Sequence, residues 1–132
     1  MSMIVTPVIA GILVLAQIPL TLLVGYRRLK TDIRFLDGGD ETLIRRMRTH
    51  GNFTETVPST LIAMALAEIN GMPIWALWLF GTTLVAGRAV HAAQILSTGW
   101  GLGRSSGMGL TFLAMLAFGG WCLWSGTAIS TR

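Results

Sequence analysis

The sequence predicts an all-α membrane protein, a bundle of four transmembrane helices forming a single domain over residues 1–132. Three observations lead there. Apolar residues make up 52% of the chain and charged residues 12%, about half the charged share of a typical soluble domain. The apolar residues fall into four long runs, not the period-2 or period-3.6 scatter of a water-soluble fold. The charge is also clustered: of 10 Lys and Arg residues, seven lie between Arg27 and Arg48. These are Arg27, Arg28, Lys30, Arg34, Arg45, Arg46 and Arg48.

The first span is expected from about Ile4 to Val24, uncharged throughout and long enough for a hydrocarbon core of ~30 Å. It lacks the basic start and small-residue cleavage site of a signal peptide, so it is expected to be retained. Pro7 and Pro19 inside it are expected to bend it or to lie against a neighbour. A polar loop follows from Tyr26, and Gly38-Gly39-Asp40 reads as a turn into a helix N-cap, with Asp40 and Glu41 at the positive end of the dipole. Helix two is expected from Glu41 to about Ile69, basic in its first turns and apolar from Phe53, with Pro58 kinking it. Asn70-Gly71-Met72-Pro73 signals a short turn. Span three runs from Ile74 to about Ile95, a Gly-rich loop from Ser97 to Ser106, and span four from Met108 to about Trp124.

The basic cluster, and Arg104 in the later loop, place loops 26–46 and 97–106 on the cytoplasmic side and both termini on the other. Trp75, Trp78, Trp121 and Trp124 mark the outer interface, and Tyr26 and Trp100 the inner one. Nucleic acid is not expected as a partner, because the cluster lies between two spans with no recognisable module around it. The single cysteine, Cys122, excludes an intramolecular disulfide and reads as a small apolar residue of the last helix. Gly81, Ala86, Gly87, Ala89, Ala92 and Ala93 in span three, with Gly107, Gly109, Gly119 and Gly120 in span four, allow close helix packing.

Two ionisable residues interrupt apolar runs: Glu55 and Arg88. Each costs ~2.5–3.5 kcal/mol on insertion scales, so each needs a partner or a function. The turn between helices two and three is centred between Gly71 and Met72. Glu55 lies 16.5 residues before that centre and Arg88 lies 16.5 after it, so an antiparallel hairpin brings them to one depth. The same arithmetic levels Asn52 with His91. The expectation is a polar layer of Asn52, Glu55, Arg88 and His91 on the basic side of the membrane. Arg48, Asn52 and Glu55 share a face of helix two at i, i+4 and i+7. The layer reads either as a helix-gluing ion pair or as a functional site. His91 alone reads as a packing residue, no Cys/His/Asp cluster suggests a metal, and His50 lies off the stripe at the interface.

The segment R-T-H-G-N-F-T-E-T-V-P, Arg48 to Pro58, resembles the signature of the MAPEG superfamily, in its bacterial form. These are the membrane-associated proteins in eicosanoid and glutathione metabolism. The matching positions are Arg48, Asn52, Glu55 and Pro58. Gly87 to His91, G-R-A-V-H, resembles the family's third helix, and Arg104-Ser105 falls where its catalytic Arg lies. The resemblance spans essentially the whole chain, with four spans in the same order. It implies a homotrimer that binds glutathione, as co-substrate, in a cleft between subunits on the cytoplasmic side. By position, Arg48, Asn52, Glu55, Arg88 and the neighbouring His91 would hold glutathione, and Arg104 would stabilise its thiolate. A ligand with two carboxylates and an ammonium suits several Arg and one carboxylate, and arginine's fork binds carboxylates in bidentate fashion. Many catalytic members carry Tyr seven residues after the third-helix Arg. Here that residue is Ile95, which leaves Arg104 as the candidate activator, with a topology-setting anchor as its other reading.

The expected function is a glutathione-dependent transferase or peroxidase acting on lipophilic electrophiles dissolved in the bilayer. The alternative is a non-catalytic protein of the same fold that binds glutathione or a lipid. A four-span exporter of lipophilic cations fits poorly, because its carboxylate belongs in the first span and none is there.

Overall fold

A computed structural model describes residues 3–130, with side chains through Thr127 at the C-terminal end. It contains four helices and, among the described residues, no strand: α1 Val5–Thr31, α2 Glu41–Ile69, α3 Ile74–Ser97 and α4 Leu102–Ser130. Helix α2 has the expected bounds. The others are longer than the apolar runs, because a helix continues wherever backbone and caps permit while hydropathy marks only its lipid-compatible part. Helix α1 passes Val24 by two turns, so the first connection shrinks to residues 32–40. The Gly-rich loop shrinks to residues 98–101, and Arg104 sits in the first turn of α4 rather than in a loop. Pro19 and Pro58 lie inside their helices, whereas Pro7 occupies the first turn of α1, where its missing N–H has no intrahelical role.

Helices α2 and α3 pack on each other, and α1 and α4 each pack on both. Among the described residues α1 and α4 do not meet, so they stand at opposite corners of the bundle. The core between them is filled by Ile9, Leu13, Phe53, Val57, Met64, Leu77, Leu84 and Phe118, and Phe80 meets Phe118 edge-on with centroids 6.3 Å apart. The outward faces of α1 and α4 remain apolar and exposed, with Ile12, Leu15 and Leu22 on one and Phe112, Leu116 and Leu123 on the other. Among the described residues these two helices alone are long and apolar enough to cross a membrane by themselves.

One carboxylate closes each end of the α1–α2 pair. At the basic end Asp40 caps α2, accepting the Leu43 amide at 2.7 Å, and takes the Arg27 fork through Nε at 3.0 Å and Nη2 at 2.6 Å. The guanidinium, helped by the Leu43 amide, holds the Asp40 carboxyl at about 2, below its ordinary 3.8. At the opposite end Glu68, near the C-terminus of α2, accepts the amides of Ile4, Val5 and Thr6 at 2.6, 2.8 and 2.8 Å. These first amides of α1 lack intrahelical acceptors, and Ile4 supplies no side-chain cap, so a neighbouring helix caps them. Gly71, at φ +80°, then turns the chain into α3.

Helices α3 and α4 approach each other main chain to main chain at Gly87 and Gly107. A Cβ on Gly107 would lie 2.7 Å from the Gly87 carbonyl oxygen and from the His91 nitrogen, and one on Gly87 would lie 2.8 Å from the Gly107 oxygen. Two glycines facing each other let these helices touch main chain to main chain, as small residues do in membrane bundles. This contact sets the first turn of α4, with Arg104, beside His91.

Candidate functional site

At the basic end, successive turns of α2 present Ile44, Arg45, Arg48 and Asn52. Helix α3 faces them with His91 and Ile95, and Gly99, Trp100 and Arg104 close the end. These residues line a groove of about 490 Å3. Among the described residues no acidic side chain lines it, so three guanidinium groups give it a net positive field. Arg45 is partly engaged, donating to the Ser97 carbonyl at 3.2 Å and lying 3.5 Å from Glu41. The exposed Arg48 has no hydrogen bond or ion pair among the described residues. Ile44, Arg48 and Asn52 form a ridge, and beyond it a second recess of about 310 Å3 is lined by Asp37, Met47, Gly51 and Glu55 as well.

Arg104 is held at both ends. Its carbonyl lies 3.1 Å from His91 Nδ1. A carbonyl only accepts, so Nδ1 donates and the tautomer follows. Its guanidinium stacks on the Trp100 ring, 4.1 Å from the centroid. His91 is 2% exposed, and its Nε2 is buried with no hydrogen-bond partner.

Glu55 and Arg88 reach one depth, as expected of the polar layer, but form no direct ion pair. Arg88 is 4% exposed and donates through Nη1 to Asn52 Oδ1 at 2.9 Å and Thr56 Oγ1 at 3.2 Å, and through Nη2 to Met108 Sδ at 3.2 Å. Asn52 and Thr56 bracket Glu55 in sequence, so the depth matches the hairpin arithmetic. The azimuth differs. At about 100° per residue, Glu55 is turned about 100° from Thr56, and it faces the second recess, exposed and without a bonded partner among the described residues. Arg88 lies behind Asn52 and lines a small apolar recess with Ile12, Phe53 and Val85.

Five of the sequence-derived residues are thus brought into contact or near contact: Arg48, Asn52, His91 and Arg104 line the groove, and Arg88 supports Asn52 from behind. Glu55 lies across the ridge. Thr56, Met108 and Gln94 carry no site role on sequence grounds, and Trp100 only that of an interface marker. Thr56 was detectable as the i+4 neighbour of Asn52; Gln94 and Trp100 likewise find their partners within four to six residues, at Thr98, Trp100 and Arg104, whereas Met108 meets Arg88 only through the α3–α4 contact.

The sequence pattern of the MAPEG family matches residues 6–124. This chain belongs to the MAPEG family. The inner membrane protein YecN of Escherichia coli strain K12 is 33% identical over 91 residues, which cover 67% of each chain. YecN of an Escherichia coli O6:H1 strain matches to the same extent. No solved structure matches. This MAPEG chain is therefore a four-helix membrane protein, and its exposed apolar α1 and α4 faces are those of a membrane helix rather than a misfit soluble one. Ile95, seven residues after Arg88, is 5% exposed and forms part of the groove wall.

Proposed function

We propose that this protein binds glutathione in the cationic groove and transfers its thiolate to lipophilic electrophiles, or reduces lipid-soluble peroxides with it. The single observation that carries the proposal is the gathering of Arg45, Arg48 and Arg104 with Asn52 and His91 around one open groove at one end of a membrane bundle. The ligand chemistry agrees. Two carboxylates suit the arginines, and an ammonium suits the Glu55 and Asp37 carboxylates across the ridge, with Arg48 and Asn52 common to both recesses. A free thiol of pKa ~8.5 is only a few per cent ionised at neutral pH. The Arg104 guanidinium stays charged and favours the thiolate. In a conjugation the sulfur–carbon bond forms, the leaving group departs with its electron pair, and the thiol proton goes to solvent; in a peroxide reduction the O–O bond breaks to alcohol and water while two glutathiones are oxidised to their disulfide.

Purified protein is expected to bind glutathione saturably, to show thiolate absorbance near neutral pH, and to conjugate a chlorodinitrobenzene. Absence of binding would overturn the reading. A non-catalytic binder is the second reading, favoured by Ile95, which supplies no hydroxyl where many relatives have Tyr; binding without thiolate absorbance or turnover would select it.

We further propose, from the family resemblance, a homotrimer in which a neighbouring subunit covers the groove. Three chains are expected by native mass spectrometry, and a stable ligand-binding monomer would count against it. The positive-inside rule supports four spans with both termini extracytoplasmic. Ser2 and Thr131, where labelling would test this, lie outside the described residues; cytoplasmic labelling at either would reverse the topology.

A further inference from the structure

Arg104 lies in the first turn of α4, and an arginine there has four rotatable bonds and an open groove to move in. Several contacts restrict it. The indole of Trp100 lies under the guanidinium at 4.1 Å, yet Trp100 is 78% exposed and not packed into the core. Its backbone is held instead. Gln94, one turn from the end of α3, sends its amide Nε2 to the Trp100 carbonyl at 3.3 Å and to the Thr98 hydroxyl, gripping both sides of the turn. The turn is shaped around that side chain. A Cβ on Gly101 would come within 2.6 Å of Gln94 Nε2, and one on Gly103 within 2.7 Å of Gln94 Oε1. Gly99 takes φ +80°, a region that favours glycine. The chain from α3 to the groove is therefore continuous: Gln94 holds the turn, the turn holds Trp100, and Trp100 holds Arg104.

We infer that Trp100, set by Gln94, is a positioning residue that keeps the Arg104 guanidinium over the groove, where it acts on a bound thiolate. This rests on the reading of Arg104 as the counter-charge of the glutathione sulfur. The chemistry favours an aromatic platform over a carboxylate. An ion pair would neutralise the charge that must act on the ligand, whereas a ring face orients a guanidinium and leaves its N–H donors free. Among the described residues no carboxylate lines the groove near Arg104.

The experiment uses the full chain in lipid nanodiscs. The apparent pKa of bound glutathione is followed by thiolate absorbance across pH, and the order of the Arg104 Nε–H is measured by NMR. Trp100→Ala is expected to lower the thiolate fraction at neutral pH about two- to fivefold, the weight of an exposed cation–π contact. Arg104 Nε–H order falls with it. Trp100→Phe, which keeps a ring face, restores most of both, and Gln94→Ala moves both in the same direction as Trp100→Ala. Unchanged thiolate pKa and unchanged Arg104 order in Trp100→Ala would overturn the inference. If the wild-type protein leaves the thiol at its solution pKa, the glutathione reading fails instead, and the NMR arm still decides whether Trp100 orders Arg104. If Trp100→Phe fails to rescue while the folded protein is intact, the ring face is not the device and the inference falls.

Discussion

The two ends of the bundle use charge in opposite ways. Where α1 starts and α2 finishes, Glu68 gives its carboxylate to three backbone amides, and the described charge there is satisfied by the fold. At the basic end Asp40 and Arg27 form a similarly satisfied pair, but a few turns away, among the described residues, the Arg48 side chain has no partner and the Arg104 guanidinium has only an aromatic face. Arg88, deeper in, has neutral partners only. The difference separates charges that hold the fold from charges left available. A half-buried carboxylate bonded to three helix-start amides is structural; a guanidinium facing a groove with no counter-ion among the described residues is poised for a ligand.

The sharpest way to break this comparison is to remove a charge from the available set. Arg104→Ala is expected to lower conjugation turnover by about 100-fold or more, the scale seen when one preorganised charge stabiliser is lost. Glutathione binding and thermal stability are expected to hold within a few-fold and a few degrees. Full activity in the variant would reduce Arg104 to an interfacial anchor. Next is the contact that brings Arg104 to His91. Gly107→Ala puts a methyl within 2.7 Å of backbone atoms of α3, and overpacking of this kind costs about 1–3 kcal/mol. A lowered melting temperature in detergent, with loss of groove binding, is the expected result.

On the satisfied side, Glu68→Ala strips the cap from α1, and loss of such a cap costs about 1–2 kcal/mol. Faster hydrogen exchange at the first turn of α1 would register it, with glutathione binding unchanged. The Asp40–Arg27 pair gives a pH signature. The Asp40 carboxyl titrates at about 2 in the fold against an ordinary 3.8, so its stabilisation is complete above the ordinary value and is lost as pH falls towards about 2. The stability gap between wild type and Asp40→Asn, measured by thermal unfolding, is expected to be constant near neutrality and to close in strong acid. The smallest effect belongs to Glu55. A buried ion pair loses ~3–5 kcal/mol when one partner is removed, but Glu55 is exposed and unpaired with Arg88. Glu55→Gln is therefore expected to shift stability by no more than about 0.5 kcal/mol. A loss of several kcal/mol in a denaturant titration would restore the ion pair that the geometry denies.

The sequence by itself determined what depends on distance along the chain. Helix α2 begins at Glu41 and ends at Ile69 because its cap and turn chemistry are local: Asp40 is a capping residue with a glycine pair before it, and Gly71 supplies the positive φ after it. The depth shared by Arg88 and the Asn52–Thr56 turn also follows from counting, because rise per residue is constant in a helix. Tertiary structure decided what depends on rotation about each helix axis and on which neighbour stands opposite. It turned Glu55 away from Arg88, gave Arg88 to Asn52 and Thr56, and used Glu68 to cap a helix more than sixty residues earlier in the chain. It also brought Gly87 against Gly107 and so set Arg104 beside His91. Azimuth is fixed by packing of side chains from distant segments, and no run of neighbouring residues contains that information.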